Sequence, residues 1–96
     1  MQVWNYNGSL LLTGFGIREA VIEYSSDGTT WDVLHDVDEF ERAPGKKDYE
    51  CNNFVDFNDI TARSVRITAN SNWGGAIFSQ YGLSEVRFLY TPVYAR

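Results

Sequence analysis

The sequence predicts an all-β protein, an antiparallel jelly-roll β-sandwich. Three observations carry this: short runs in which apolar and polar residues alternate, turn residues that punctuate those runs, and no stretch with a convincing helical period. Side chains in a strand point to opposite faces in turn, so each alternating run offers one core stripe. At 96 residues the chain fits a single domain, residues 1–96.

The pattern is clearest in residues 20–34, AVIEYSSDGTTWDVL, which read as two strands joined at Asp27-Gly28. Ala20, Ile22 and Tyr24 share one face of the first strand. Trp31 and Val33 share one face of the second, and both sets are expected in the core. Asp-Gly suits a type I′ turn, whose twist fits a two-residue hairpin. Ahead of the hairpin, residues 2–6 form a first strand with Trp4 and Tyr6 on one face. Asn7-Gly8 breaks it. The run Leu10-Leu11-Leu12 is too short for a helix and is expected as a packing loop or a short irregular strand.

After the hairpin, residues 36–53, DVDEFERAPGKKDYECNN, turn polar around Pro44-Gly45 and read as a solvated excursion. Residues 54–57 form a short strand that pairs Val55 with Phe57 on one face. Residues 63–70 form a clear strand with Val65, Ile67 and Ala69 inward and Ser64, Arg66 and Thr68 outward. Residues 71–82 are a long loop. The last strand, residues 83–90, sets Val86, Phe88 and Tyr90 on one face until Pro92 ends pairing. With strands running alternately up and down, loops 7–16, 36–53 and 71–82 gather at one end. The turns at 27–28 and 58–62 lie at the other. A site built from sequence-distant residues belongs at the long-loop end.

The net charge of −5 argues against nucleic acid or an anionic membrane as partner. No apolar run approaches the roughly 20 residues of a membrane span, so membrane insertion is not expected. Met1 leads at once into Val3-Trp4, which predicts no signal peptide. The lone Cys51 has no partner for an intrachain disulfide. Aromatic residues make up 16% of the chain. Burial at roughly 25 cal/mol per Å² has to offset the conformational entropy of folding, so most of these rings are expected to be structural.

The strongest binding candidate is the run Asn70-Ser71-Asn72-Trp73-Gly74-Gly75 with Phe78, Gln80 and Tyr81. A sugar is held by a flat aromatic surface against its C–H face and by amides, carboxylates or arginine at its hydroxyls. Asn72, Trp73, Gln80 and Tyr81 supply those groups on one loop. Asn7 and Arg42 supply hydroxyl partners from the other two. The competing reading of Trp73 is a plug against the sandwich. No catalytic residue is expected. His35, in step with Trp31 and Val33, is expected to be partly buried and hydrogen-bonded. Cys51 has no cue for an activated thiol. Asp36, Asp38, Glu39 and Glu41 lack the glycine turn and distal glutamate of an EF-hand loop. Gly14-Phe15-Gly16 precedes a strand, unlike a phosphate cradle, which opens a helix.

Taken together, Trp4-Asn5-Tyr6-Asn7, GIREAVIEYS at 16–25, SDGTTW at 26–31, ARSVRI at 62–67 and YGLSEVRF at 81–88 resemble the F5/8 type C (discoidin) family. That family belongs to the galactose-binding-like jelly rolls, similar to family 32-type carbohydrate-binding modules. The resemblance implies a galactose-binding-domain-like sandwich truncated at the N-terminus, since the family's earliest strands have no counterpart here. It implies a non-catalytic carbohydrate-binding module that recognises a glycan or cell-surface ligand through loops at one end, used outside the cell or at its surface. A protein-interaction, adhesion or structural assembly module on the same scaffold is the alternative. Members often carry a structural calcium ion, whose late acidic ligand aligns with Glu85. One carboxylate falls short of the 6–8 oxygens calcium takes, and an ion pair with a neighbouring cation competes for Glu85. The uncovered sheet edge left by the missing strands predicts a homo-oligomer or docking on a partner.

Overall fold

The computed structural model describes residues 1–8, 12–46, 49–75 and 80–89. Among these residues lie β1 (Gln2–Asn5), β2 (Ala20–Ser25), β3 (Asp32–Val33), β4 (Asn53–Phe54), β5 (Ser64–Ala69) and β6 (Leu83–Arg87). One sheet has the order β4-β1-β6 and the other β3-β2-β5. Every ladder between these strands is antiparallel. The first sheet buries Met1, Val3 and Val55 and the second buries Ile22, with Leu34 just past β3; Ile17 and Phe40 fill the same core from the loops. Around them pack Ala20, Tyr24, Val65, Ile67 and Ala69 from the second sheet and Leu83 and Val86 from the first. The alternation read in residues 20–24 and 63–70 therefore points the expected side chains inward, and the two sheets face one another as a β-sandwich.

The connection between β2 and β3 differs from the expected two-residue turn. The register pairs Tyr24 with Asp32, so a wide loop joins the strands. Side chains build it. The Ser25 hydroxyl accepts from the Gly28 N–H at 2.8 Å, and Asp27 Oδ1 accepts from the N–H groups of Thr29 and Thr30 at 2.7 Å each. Gly28 has φ +81°, but Asp27 is not among the left-handed residues, as a type I′ turn would require. Short polar side chains that satisfy the backbone themselves replace the tight turn here.

The stripe on β3 also turns the other way. Val33 is 46% exposed, whereas Leu34 is buried and donates its N–H to the Ile22 carbonyl at 2.8 Å. Leucine takes the core position, so Trp31 and Val33 share the outer face. The Trp31 ring lies there beneath the Arg66 guanidinium, 4.3 Å from its centroid. His35 is exposed rather than partly buried.

In β6, Leu83 and Val86 both reach the core although they are three residues apart. The ladder with β1 pairs Asn5 with Leu83 and Trp4 with Glu85, which leaves Ser84 as an extra residue, a β-bulge. Phe88, expected on the inward stripe, lies beyond the end of β6 and is 52% exposed. Leu12 opens a 3₁₀ turn, Leu12–Phe15, where a loop or strand was expected. Leu10, Leu11, Phe78 and Tyr90 lie outside the described residues.

Asn5 is fully buried in this apolar setting and has every hydrogen-bonding group matched. Its Nδ2 donates to the carbonyls of Ile17 at 2.7 Å and Glu41 at 2.8 Å, and its Oδ1 accepts from the N–H groups of Tyr6 at 2.9 Å and Ile17 at 3.0 Å. One amide thus ties β1 to two loops. Gly16 makes room for it: a Cβ there would stand 2.7 Å from Asn5 Oδ1.

Candidate functional site

Backbone and side-chain hydrogen bonds knit the three long loops together. The Gly74 N–H donates to Gly14 O at 2.8 Å, the Trp73 N–H to Gly16 O at 3.0 Å and the Gly82 N–H to Phe15 O at 2.8 Å. Arg42 Nε donates to Thr13 Oγ1 at 2.7 Å. Asn7 clasps loop 36–53, donating from Nδ2 to Lys46 O and accepting the Gly45 N–H at 2.7 Å. At the opposite end, the Arg63 N–H donates to Ser25 O at 2.8 Å and brings the turn after Asn58 beside the Asp27 loop. The wide connections share one rim.

The sequence-derived candidates occupy different settings on that rim. Trp73 is half-buried: its Nε1 donates to the Phe40 carbonyl at 2.8 Å, and the Arg18 guanidinium covers its ring at 4.8 Å. Asn72 is buried and its Nδ2 donates to Gln80 O at 3.0 Å. Asn7 and Arg42 spend side-chain bonds on neighbouring loops, as above. Gln80 is exposed, and Tyr81 is 50% exposed. Glu85 is exposed and accepts from Arg87 Nε at 3.1 Å.

Two of these residues, Asn7 and Glu85, meet in a concavity of about 410 Å³ lined also by Trp4, Tyr49 and Ser84. Each arrives for a local reason. Val3 and Asn5 point inward, so Trp4 stands on the outer face of its sheet, directly across from Glu85. The bulge at Ser84 turns its hydroxyl toward the Asn7 N–H, which donates to it at 3.0 Å. Loop 36–53 lays Tyr49 alongside, its hydroxyl donating to the Asn5 carbonyl. Burial raises the Tyr49 phenol above its ordinary pKa, so at neutral pH it keeps its proton. The Arg87 guanidinium lies 5.1 Å from the Trp4 ring centroid and holds Glu85 beside it. An indole, a carboxylate, a hydroxyl and a phenol therefore border one open depression. Sequence reasoning passed over Trp4, Tyr49 and Ser84 because they come from a strand, a loop and a bulge; the outward parity of Trp4 against Val3 was the available signal.

Among the described residues the acidic side chains do not assemble a calcium site. Glu85 is paired with Arg87, and among the described residues no group of three or more His, Cys, Asp or Glu side chains stands where it would hold a metal ion. Cys51, half-buried, donates its thiol to the Asn53 carbonyl at 2.9 Å.

No curated protein and no solved structure matches the chain. A family model, described as F5/8 type C domain, matches residues 4–81. Domains of that family are generally non-catalytic binding modules that often bind carbohydrates or mediate interactions, and they commonly occur in extracellular or cell-surface proteins. The match runs from the outward Trp4 of β1 through both sheets to the loop before β6, and by it the chain belongs to the F5/8 type C domain family.

Proposed function

We propose that this domain is a non-catalytic carbohydrate-binding module, used outside the cell or at its surface, that holds a neutral glycan in the concavity of Trp4, Asn7, Tyr49, Ser84 and Glu85. The observation that carries the reading is the grouping of an aromatic wall with hydroxyl partners of three chemistries around one depression. The sugar takes the place of the Arg87 guanidinium on the Trp4 indole, which then packs on its C–H face, while Ser84, Glu85 and the Tyr49 oxygen engage its hydroxyls. Asn7 acts by fixing the loop that brings Tyr49 into place. Gln80 and Tyr81, exposed just before β6, extend the contact to a longer glycan. A shallow site of this kind binds in the range of roughly millimolar to tens of micromolar, about −4 to −6 kcal/mol.

The test is a ¹H–¹⁵N NMR titration with galactose and a panel of other neutral monosaccharides, backed by a glycan array. The expected result is saturable shifts at the Trp4 indole N–H and the Ser84 and Glu85 amides, lost in Ser84→Ala/Glu85→Gln with the fold intact. Binding that leaves these signals unmoved, or no binding across array and panel, overturns the reading.

A further inference from the structure

A second concavity, of about 450 Å³, lies between two stretches of chain that never form a ladder with one another. His35, Asp36, Val37, Asp38, Glu39, Phe40 and Glu41 line one side, with residues 52–56 and Asn58 opposite. It shares no lining residue with the depression at Trp4. Five carboxylates border it, from Asp36, Asp38, Glu39, Glu41 and Asp56, and among the described residues no lysine or arginine does. Among the described residues, Glu39 alone of the five is drawn into an ion pair, with Arg18 at 3.0 Å. These carboxylates do not converge on a point where an ion would sit. They are strung along a groove, the pattern that complements a row of positive charges.

The floor of the groove is a sheet edge. β4 is the outermost strand in the order β4-β1-β6. Met1 and Val55 exchange both backbone bonds, the amine donating to Val55 O at 2.7 Å and the Val55 N–H to Met1 O at 2.8 Å. Bonded and non-bonded pairs alternate along an antiparallel ladder, so the next pair, Gln2 with Phe54, is non-bonded. The N–H and C=O of Phe54 therefore face away from β1, toward the groove. Its ring is 65% exposed. Segment 36–41 is tied to β4 near Glu41, whose N–H donates to Asn53 Oδ1 at 2.8 Å.

We propose that this groove docks an extended, lysine- or arginine-rich segment of another protein, added as a strand on the open edge of β4. Its backbone pairs with Phe54, and its basic side chains meet Asp36, Asp38, Glu41 and Asp56. Strand addition supplies main-chain bonds, and alternate side chains supply specificity. A second copy of this chain fits poorly, because it brings its own net charge of −5 toward five carboxylates. The inference stands apart from the glycan reading.

The probe is a capped heptapeptide alternating lysine and valine, titrated into the ¹⁵N-labelled domain. Expected are shifts at Phe54, Val55 and residues 35–41, with affinity falling about tenfold as salt rises from about 50 to about 300 mM. The same peptide with alternate backbone nitrogens methylated keeps its charge and is expected to bind about tenfold more weakly. Asp38→Asn/Glu41→Gln, both exposed, is expected to weaken binding about fivefold with unchanged spectral dispersion. Equal binding of the methylated peptide reduces the contact to charge alone and overturns the proposal. So do shifts confined to other surfaces, an absence of binding, or a sedimentation dimer that closes the groove against the peptide.

Discussion

The Arg18 guanidinium lies 4.8 Å from the centroid of the Trp73 ring, with its Nε 3.0 Å from Glu39. The arrangement occurs three times. Arg66 covers Trp31 and is bonded to Glu23, and Arg87 covers Trp4 and is bonded to Glu85. Every tryptophan in the chain thus carries an arginine on its ring, and each arginine is anchored by a glutamate. An exposed cation–π contact contributes about 0.5–1 kcal/mol and an exposed ion pair about the same or less. The value of the arrangement is orientation: rings that would otherwise be bare apolar patches present a charged outer layer to water.

Trp73→Ala is expected to destabilise the domain by about 2–3 kcal/mol, because it removes the bond to the Phe40 carbonyl, the half-buried indole and the seat of Arg18. Trp73→Phe, which keeps the ring, is expected to lose about 1 kcal/mol. Urea midpoints check both. A variant that kept its stability and lost glycan binding would place Trp73 in the recognition surface instead.

Asn5 and Gly16 are expected to be coupled. Asn5→Ala takes the side-chain amide away from the Ile17 carbonyl and from the Tyr6 and Ile17 N–H groups and is expected to cost about 3 kcal/mol. Gly16→Ala drives a methyl group to 2.7 Å from Asn5 Oδ1 and is expected to cost about 2 kcal/mol. With both changes the clash with Oδ1 disappears, so the double variant is expected to fall short of the sum by about 1 kcal/mol. Simple additivity in a double-mutant cycle would refute the contact.

Asp27 predicts a distinct acid response. Backbone bonds from Thr30 and Thr29, with the Ser25 hydroxyl, lower its pKa from 3.8 to about 2. The folded state therefore favours the ionised form. Its contribution is full above about pH 4, fades as the unfolded chain takes up a proton first, and is gone below about pH 2. Asp27→Asn keeps the acceptor oxygen and removes the titration. Denaturant midpoints from pH 5 to pH 2 are expected to fall less in this variant than in the parent protein.

Calcium is expected to leave thermal stability unchanged. Glu85 is paired with Arg87, so adding calcium or a chelator should shift the melting temperature by less than about 1 °C. A concentration-dependent rise would reveal a donor set that the described side chains do not assemble.

Much of the sandwich was legible in the sequence, because alternation over residues 20–24 and 63–70 admits one inward face. Residues 31–35 admit two. Trp31 and Val33 form one stripe and Leu34 the centre of the other, and periodicity alone does not rank them. The ranking comes from Arg66, which covers Trp31 across the sheet and makes the outer position tolerable for it. The bulge at Ser84 was equally hidden, since an inserted residue leaves no mark beyond a broken alternation between Leu83 and Val86. At the loop end, the convergence of three wide connections followed from counting reversals. The grouping of Trp4 with Tyr49 and Ser84 did not, because it depends on a register shift and on where one long loop lays a single ring.

The extra residue at position 84 reconciles a broken alternation with a single core. Leu83 and Val86, three residues apart, would face opposite sides of a regular strand, and the bulge turns one half of β6 over so that both enter the sandwich. Excising Ser84 would leave them two apart, so an unbroken ladder would still hold both inward and Glu85 outward. What would vanish is the hydroxyl that receives the Asn7 amide, and with it the tie between this strand and the rim.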